Sequence, residues 1–240
     1  MKALFHALLF CALAACSQTS DDTTSAQATD TLTSDTAASA TAAATESTNT
    51  ATAAPAPATQ EKPMSAYENK VAELHTTTGD IHIRFFPDVA PNHVRNFIDL
   101  AEKGFYNGIK FHRVIPGFMI QGGDPNTIKG DPGTWGMGGS PNKLKAEFNK
   151  VKHVRGIVSA ARTPDPNSAS SQFFIMVATA PSLDEQYSVF GQVTKGMDVV
   201  DTIVNAPKGA QDRPYNPTTI NSVTIRDARE DEKGPAPVGQ

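Results

Sequence analysis

Eight short runs of strand-forming residues, at 71–76, 81–86, 110–115, 118–122, 156–161, 172–177, 189–194 and 219–226, constrain the fold of this chain most tightly. They lie among Gly, Pro, Asn and Asp clusters, whose backbone preferences break strands and make turns. Thr78-Gly79-Asp80, between the first two runs, is a hairpin signal in which Gly supplies a positive φ. So many short strands avoid exposed edges by curling shut, so the pattern predicts a mainly β fold built as a closed barrel. Two stretches have helical rather than strand period. Val94, Phe97, Ile98 and Ala101 fall at i, i+3, i+4 and i+7 after Pro91, and Met197–Val204 forms a shorter amphipathic run after Gly196.

Composition divides the 240 residues. From Ser17 to Gln60 the chain is almost entirely Thr, Ala, Ser, Asp, Gln and Pro, with no Phe, Ile, Val or Trp, so it buries too little apolar area to offset its ordering entropy. This 44-residue stretch is expected to be a disordered tether spanning ~35–40 Å on average. It carries Asp21, Asp22, Asp30, Asp35 and Glu46 and no cation; with Lys2 in front of it, residues 61–240 are left neutral within a total of −4. A neutral domain has no phosphate-seeking field, which argues against nucleic acid as a partner.

Cys11 and Cys16 are the two cysteines, so the folded part has no disulfide framework. Lys2, the apolar stretch Ala3–Leu13 and the small residues before Cys16 have the layout of an export signal, too short for a spanning helix. Leu13-Ala14-Ala15-Cys16 resembles the bacterial lipobox, which implies a signal peptide over 1–15 and lipidation at Cys16. Several acyl chains anchor stably where one is marginal. Ser17 in place of the aspartate associated with inner-membrane retention favours the outer membrane, facing the periplasm. The expected organisation is therefore a signal peptide at 1–15, a lipidated cysteine and tether at 16–64, a folded domain at 65–227, and a flexible tail at 228–240.

The segment from Phe111 to Asp124, FHRVIPGFMIQGGD, places one arginine among large apolar residues in two strand runs joined by Pro116-Gly117. A guanidinium there costs desolvation unless its fixed fork of donors is used. Met119 and Gln121, two apart, share one strand face. The block therefore reads as an apolar pocket with one cationic edge. FHRVIPGFMIQGGD resembles the signature of the cyclophilin-type peptidyl-prolyl cis/trans isomerases. Gly156–Arg162 followed by Ser171–Ile175 resembles that family's second site-forming strand pair, and Tyr187–Gly191 its next strand, so the likeness covers roughly residues 70–226.

The resemblance implies a closed eight-stranded antiparallel β-barrel capped by two α-helices, working as a monomer on X-Pro segments of folding client proteins, without cofactor or metal. It marks Arg113, Gln121 and Phe118 as catalytic positions. Substrate-binding positions are Met119, Ala161, Arg162, Gln172, Phe174, Leu183 and Tyr187. Phe118, Met119, Phe174 and Leu183 would hold the proline ring, Gln121 and Gln172 would contact the substrate backbone or orient the arginine, and Ala161 with Arg162 would form a backbone strip beside the peptide. Ser182 and Tyr187 depart from the tryptophan and histidine of many eukaryotic members, which puts cyclosporin affinity in doubt. Arg162 replaces a common asparagine.

Rival chemistries have weaker support. His75, His82, His93, His112 and His153 lack metal-ligand spacing, and His112 alternates away from Arg113 toward the barrel interior. The run Gly130–Gly139 lacks the Gly-Lys-Ser/Thr and the following helix of a phosphate cradle and is read as a mobile loop. Ser159 and Ser171 have no evident His and Asp partners, so a serine hydrolase is not supported.

Overall fold

The computed structural model describes residues 62–234 together with 236 and 237. The expected signal peptide, Cys16 and nearly all of the tether lie outside the described residues. Eight strands form one antiparallel sheet: β1 (Lys70–Thr76), β2 (Gly79–Phe85), β3 (Arg113–Ile115), β4 (Met119–Gly122), β5 (Ile157–Ala160), β6 (Phe173–Met176), β7 (Val189–Lys195) and β8 (Ile220–Asp227). Their order is β3-β4-β6-β5-β7-β2-β1-β8. Helices α1 (Pro91–Glu102), α2 (Asn126–Lys129) and α3 (Met197–Val204) and short 3-10 turns make up the rest of the regular structure among the described residues.

The sheet is a half-barrel rather than the closed barrel expected from the sequence. β3 and β8 form no ladder with each other. The residues leading into them meet at a single bridge, Lys110 opposite Thr219, flanked by bonds from Gly108 N to Ile220 O (2.7 Å) and Phe111 N to Thr218 O (3.0 Å). Pro214 and Pro217, which cannot donate to a ladder, precede β8, and Pro116 ends β3. The outer edge of β3 is capped by a side chain instead: Lys208 Nζ donates to Val114 O at 2.9 Å. The predicted strand 110–115 is thus divided, its first half facing residues 218–220 and its second half paired with β4.

Successive side chains of the central strands point to opposite faces, and both faces are covered. Ile120, Val158, Phe173 and Ile175 enter the main core with Phe97, Ile98, Val200 and Ile203 from the helices. Met119, Ile157, Phe174 and Met176 point the other way, into a smaller core with Phe86, Val151 and Val189. This second core is the floor of the site described below. Phe97 anchors α1 over the main core, its ring centroid 4.7 Å from that of Tyr106 and 5.5 Å from that of Phe173.

Local chemistry explains the joints. Pro116 and Gly117 (φ +73°) form the β3–β4 turn, closed by Phe118 N donating to Ile115 O at 3.0 Å. Gly at the third position satisfies the positive φ of such a turn. Gly196 (φ +91°) starts α3 so close to β2 that a Cβ there would lie 2.1 Å from Asp80 O. The described part of the expected flexible tail is pinned: Arg226 forms a bidentate ion pair with Glu232 at 2.7 and 2.8 Å, and Ala236 N donates to Asp88 Oδ2 at 3.1 Å.

Candidate active site

Register alone lines up the candidate residues. In the β3–β4–β6–β5 ladders Arg113 pairs with Gln121, Gln121 with Phe174, and Phe174 with Ser159, so these four stand in one row across the sheet. Directly opposed side chains lie close enough to interact. One row along, Ile115 pairs with Met119 and Met119 with Met176. Leu183 and Tyr187 arrive from the loop before β7, and Ala161 and Arg162 from the end of β5, to enclose a cavity of about 350 Å³.

Arg113, Phe118, Met119, Gln121, Ala161, Arg162, Phe174, Leu183 and Tyr187 all line this cavity. Gln172 does not; it lies in the adjoining cavity, which shares Gln121, Ala161 and Arg162 with the first. Gln172 acts on the arginine at one remove. Its Nε2 donates to Gly136 O (2.9 Å) and Gly138 O (2.7 Å), its Oε1 accepts from Gln121 Nε2 (2.9 Å), and Gln121 Oε1 accepts from Arg113 Nη1 (3.4 Å). The Gly130–Gly139 stretch is held from beneath as well. The buried Asp124 carboxylate accepts from Gly136 N and Gly138 N, which turns the expected mobile loop into a fixed wall.

The apolar side of the cavity is an aromatic and thioether surface. Met119 and Phe174 are buried, whereas Phe118, Leu183 and Tyr187 are partly open to the cavity. Tyr187 meets Phe174 edge-on at 5.6 Å and lies beneath the Arg162 guanidinium at 4.6 Å. Ser182, by contrast, is exposed and does not line the cavity. An uncharged ring suits such walls, and the only charged groups on the lining are the two guanidinium groups.

Three neighbours were missed by sequence reasoning. Asp212 stands beside Arg113, its Oδ2 3.8 Å from Nε, and also accepts from Lys208 Nζ at 2.8 Å. Gln211 and Asp212 both have positive φ (60° and 57°), which marks a constrained loop. Phe148 stacks on Arg162 at 5.7 Å. His153 lies under the pocket, its ring 6.2 Å from Phe174 and near parallel to it. These partners are too far apart in the chain for spacing to reveal them.

His153 also corrects the expectation about Ser159. His153 Nε2 lies 3.2 Å from Ser159 Oγ and Nδ1 3.2 Å from Asp184 Oδ1, so the serine does have His and Asp partners. It is nevertheless fully buried, at 0% exposure, and no substrate carbonyl can reach it. The three residues therefore brace the floor beneath Phe174. Burial lowers the His153 pKa against the opposing pull of Asp184, favouring the neutral ring. Among the described residues no group of three His, Cys, Asp or Glu is placed to hold a metal ion.

Residues 71–225 match the family model for the cyclophilin type peptidyl-prolyl cis-trans isomerases. The chain belongs to this family and is an enzyme of that kind. A probable peptidyl-prolyl cis-trans isomerase of Brucella abortus is 47% identical over 164 residues, covering 66% of this chain and 83% of its own. Peptidyl-prolyl cis-trans isomerase CYP71 of Arabidopsis thaliana is 42% identical over 153 residues, which are 63% of this chain and 24% of that larger protein. Among solved structures, a cyclophilin type isomerase from Cryptosporidium parvum, crystallised in the presence of the dipeptide Ala-Pro, superposes with a TM-score of 0.60 at 31% identity. It covers 65% of this chain and 99% of its own.

Proposed function

We propose that this protein accelerates X-Pro isomerisation in client proteins of the cell envelope by stabilising the twisted amide, with Arg113 as the donor. Amide resonance sets a barrier of about 18 to 20 kcal/mol, so uncatalysed exchange takes tens to hundreds of seconds. When the bond is twisted, the proline nitrogen pyramidalises and gains a lone pair that the planar ground state lacks. A donor aimed there binds the transition state better than either ground state, and that difference is what raises the rate.

The observation that carries this reading is the placement of the Arg113 guanidinium at the polar edge of a cavity otherwise walled by Phe118, Met119, Phe174, Leu183 and Tyr187. The proline ring is held against this wall while the rest of the peptide turns. Gln121 accepts from Nη1 and Asp212 faces Nε, so two edges of the guanidinium are steadied and its remaining N–H donors, both of those on Nη2 among them, stay available. No covalent intermediate and no proton transfer are needed, since the guanidinium acts through its N–H donors alone.

The cellular setting of this proposal rests on the amino-terminal sequence: export, acylation at Cys16, and a tether that lets the domain reach clients from the outer membrane. The test of activity is exchange spectroscopy by NMR on a short X-Pro peptide with the full chain. Accelerated cis/trans exchange is expected; binding without acceleration would instead make the domain a proline-segment holdase.

A further inference from the structure

The charge of the groove is at odds with that of the domain. Residues 61–240 are neutral overall, yet the two adjoining cavities are lined by Arg113, Arg162 and Lys143 and by no Asp or Glu. Two carboxylates that flank the groove are engaged elsewhere. Asp212 is behind Arg113, bonded to Lys208, and faces a different cavity. Asp165 is exposed in the loop after Arg162 and accepts from Asn167 N at 2.9 Å.

Arg162 is also preorganised. Its guanidinium lies over the rings of both Tyr187 (4.6 Å) and Phe148 (5.7 Å). Its Nε donates to Gln186 O at 3.1 Å, and its Nη1 donates to Thr163 O at 2.9 Å and Pro164 O at 3.3 Å. All these partners are neutral, so the positive charge is held in place without being compensated. Nη2 takes no part in these bonds and belongs to the edge available to a ligand. A guanidinium already fixed in position loses less side-chain freedom on pairing than a mobile lysine, and its planar fork suits a carboxylate.

We infer that the groove selects proline segments that carry an acidic side chain, Asp or Glu, next to the proline, with Arg162 as its main recognition residue. Like charge rejects a lysine at the same place, so selection works through repulsion as well as attraction. The inference rests on the isomerase reading above but fails separately from it.

The test is exchange spectroscopy with the full chain on matched peptides bearing Glu, Gln or Lys immediately before or immediately after the proline. Glu should exceed Gln in kcat/KM by about fivefold in at least one of the two positions, the scale of a solvent-reached ion pair, and Lys should fall below Gln. The preference should fade toward ~1 M salt, where the screening length is ~3 Å. Arg162→Gln should bring the Glu-to-Gln ratio close to one, whatever absolute rate that variant retains. If it fails to fold, the wild-type ratios and their salt dependence decide on their own. Acceleration of the Gln peptides with no charge preference would overturn this inference alone, and a ratio that survives Arg162→Gln would overturn the assignment to that residue. No acceleration of any peptide would instead defeat the isomerase reading.

Discussion

Arg113 is steadied from one neighbouring strand, from the residue just ahead of β6 and from a loop, and only the first of these partners is set by ladder register. Gln121 is its cross-strand neighbour, Gln172 reaches it through Gln121, and Asp212 arrives from a loop about a hundred positions later. The arginine, its amide and the apolar wall were legible in the sequence because two strands joined by Pro-Gly fix a register. Asp212, Phe148 and His153 were not, since nothing local records which loops fold back over a sheet. The adjacent His112 is buried at 5% exposure, yet it lines an outer cavity together with Arg113, Gln211 and Arg213 instead of entering the main core where alternation places it. Burial lowers its pKa to about 4, with Asp124 opposing the shift and Arg113 and Arg213 adding to it. The unfolded imidazole takes up a proton near its ordinary value of 6.5 and the folded one only near 4. The unfolded state therefore holds more protons across that window, and stability rises with pH through it. From this group alone, stability should fall by roughly 3 kcal/mol at most between about pH 6.5 and 4. Urea unfolding of wild type and His112→Phe across that range checks this. Identical pH slopes would contradict it.

At the scale of elements, α1 illustrates what a sequence carries and what it leaves to tertiary structure. Pro91 at the first turn and the buried positions Val94, Phe97, Ile98 and Ala101 follow the expected period. The N-cap residue, Ala90, has no capping side chain. Glu147 supplies that function from 55 residues away, accepting from Asn92 N and His93 N at 3.0 Å each and pairing with His93 Nδ1 at 2.5 Å. Burial alone would raise the Glu147 pKa, but these bonds outweigh it and hold the carboxyl below its ordinary value. Glu147→Ala should cost about 1 to 2 kcal/mol in urea unfolding, with faster amide exchange at residues 92–94. A loss below a few tenths of a kcal/mol would show that the cap is dispensable. The eight strands were legible for the same periodic reason as the helix. The split of 110–115 was not, because its two halves answer to different partners.

For the whole molecule, composition set the folded domain apart from an amino-terminal stretch expected to be a tether, and the carboxy-terminal charges proved structural where a frayed tail was expected. Arg226 joins Glu73 at 2.5 Å and Glu232 at 2.7 Å. Its hydrogen bonds are the main reason that the Glu232 pKa is lowered to about 2. A depressed carboxyl contributes stability above its unfolded value near 4.5 and loses it as pH falls toward 2. Glu232→Gln should therefore speed amide exchange at 228–234 at neutral pH; unchanged protection would leave the clasp without a role. At the other end, Cys16→Ser should move the protein from the membrane fraction to the soluble envelope fraction, and unchanged membrane association would sink the anchoring proposal. The proposed catalysis depends on one division of roles, in which the apolar wall binds the proline and Arg113 lowers the barrier. The most direct test is a single NMR experiment on an X-Pro peptide that yields both its dissociation constant and its exchange rate, for wild type and for Arg113→Ala. The expected result is a rate loss of about 10² to 10³ with a much smaller change in affinity. Equal losses in rate and affinity, or a variant that keeps the wild-type rate, would contradict it.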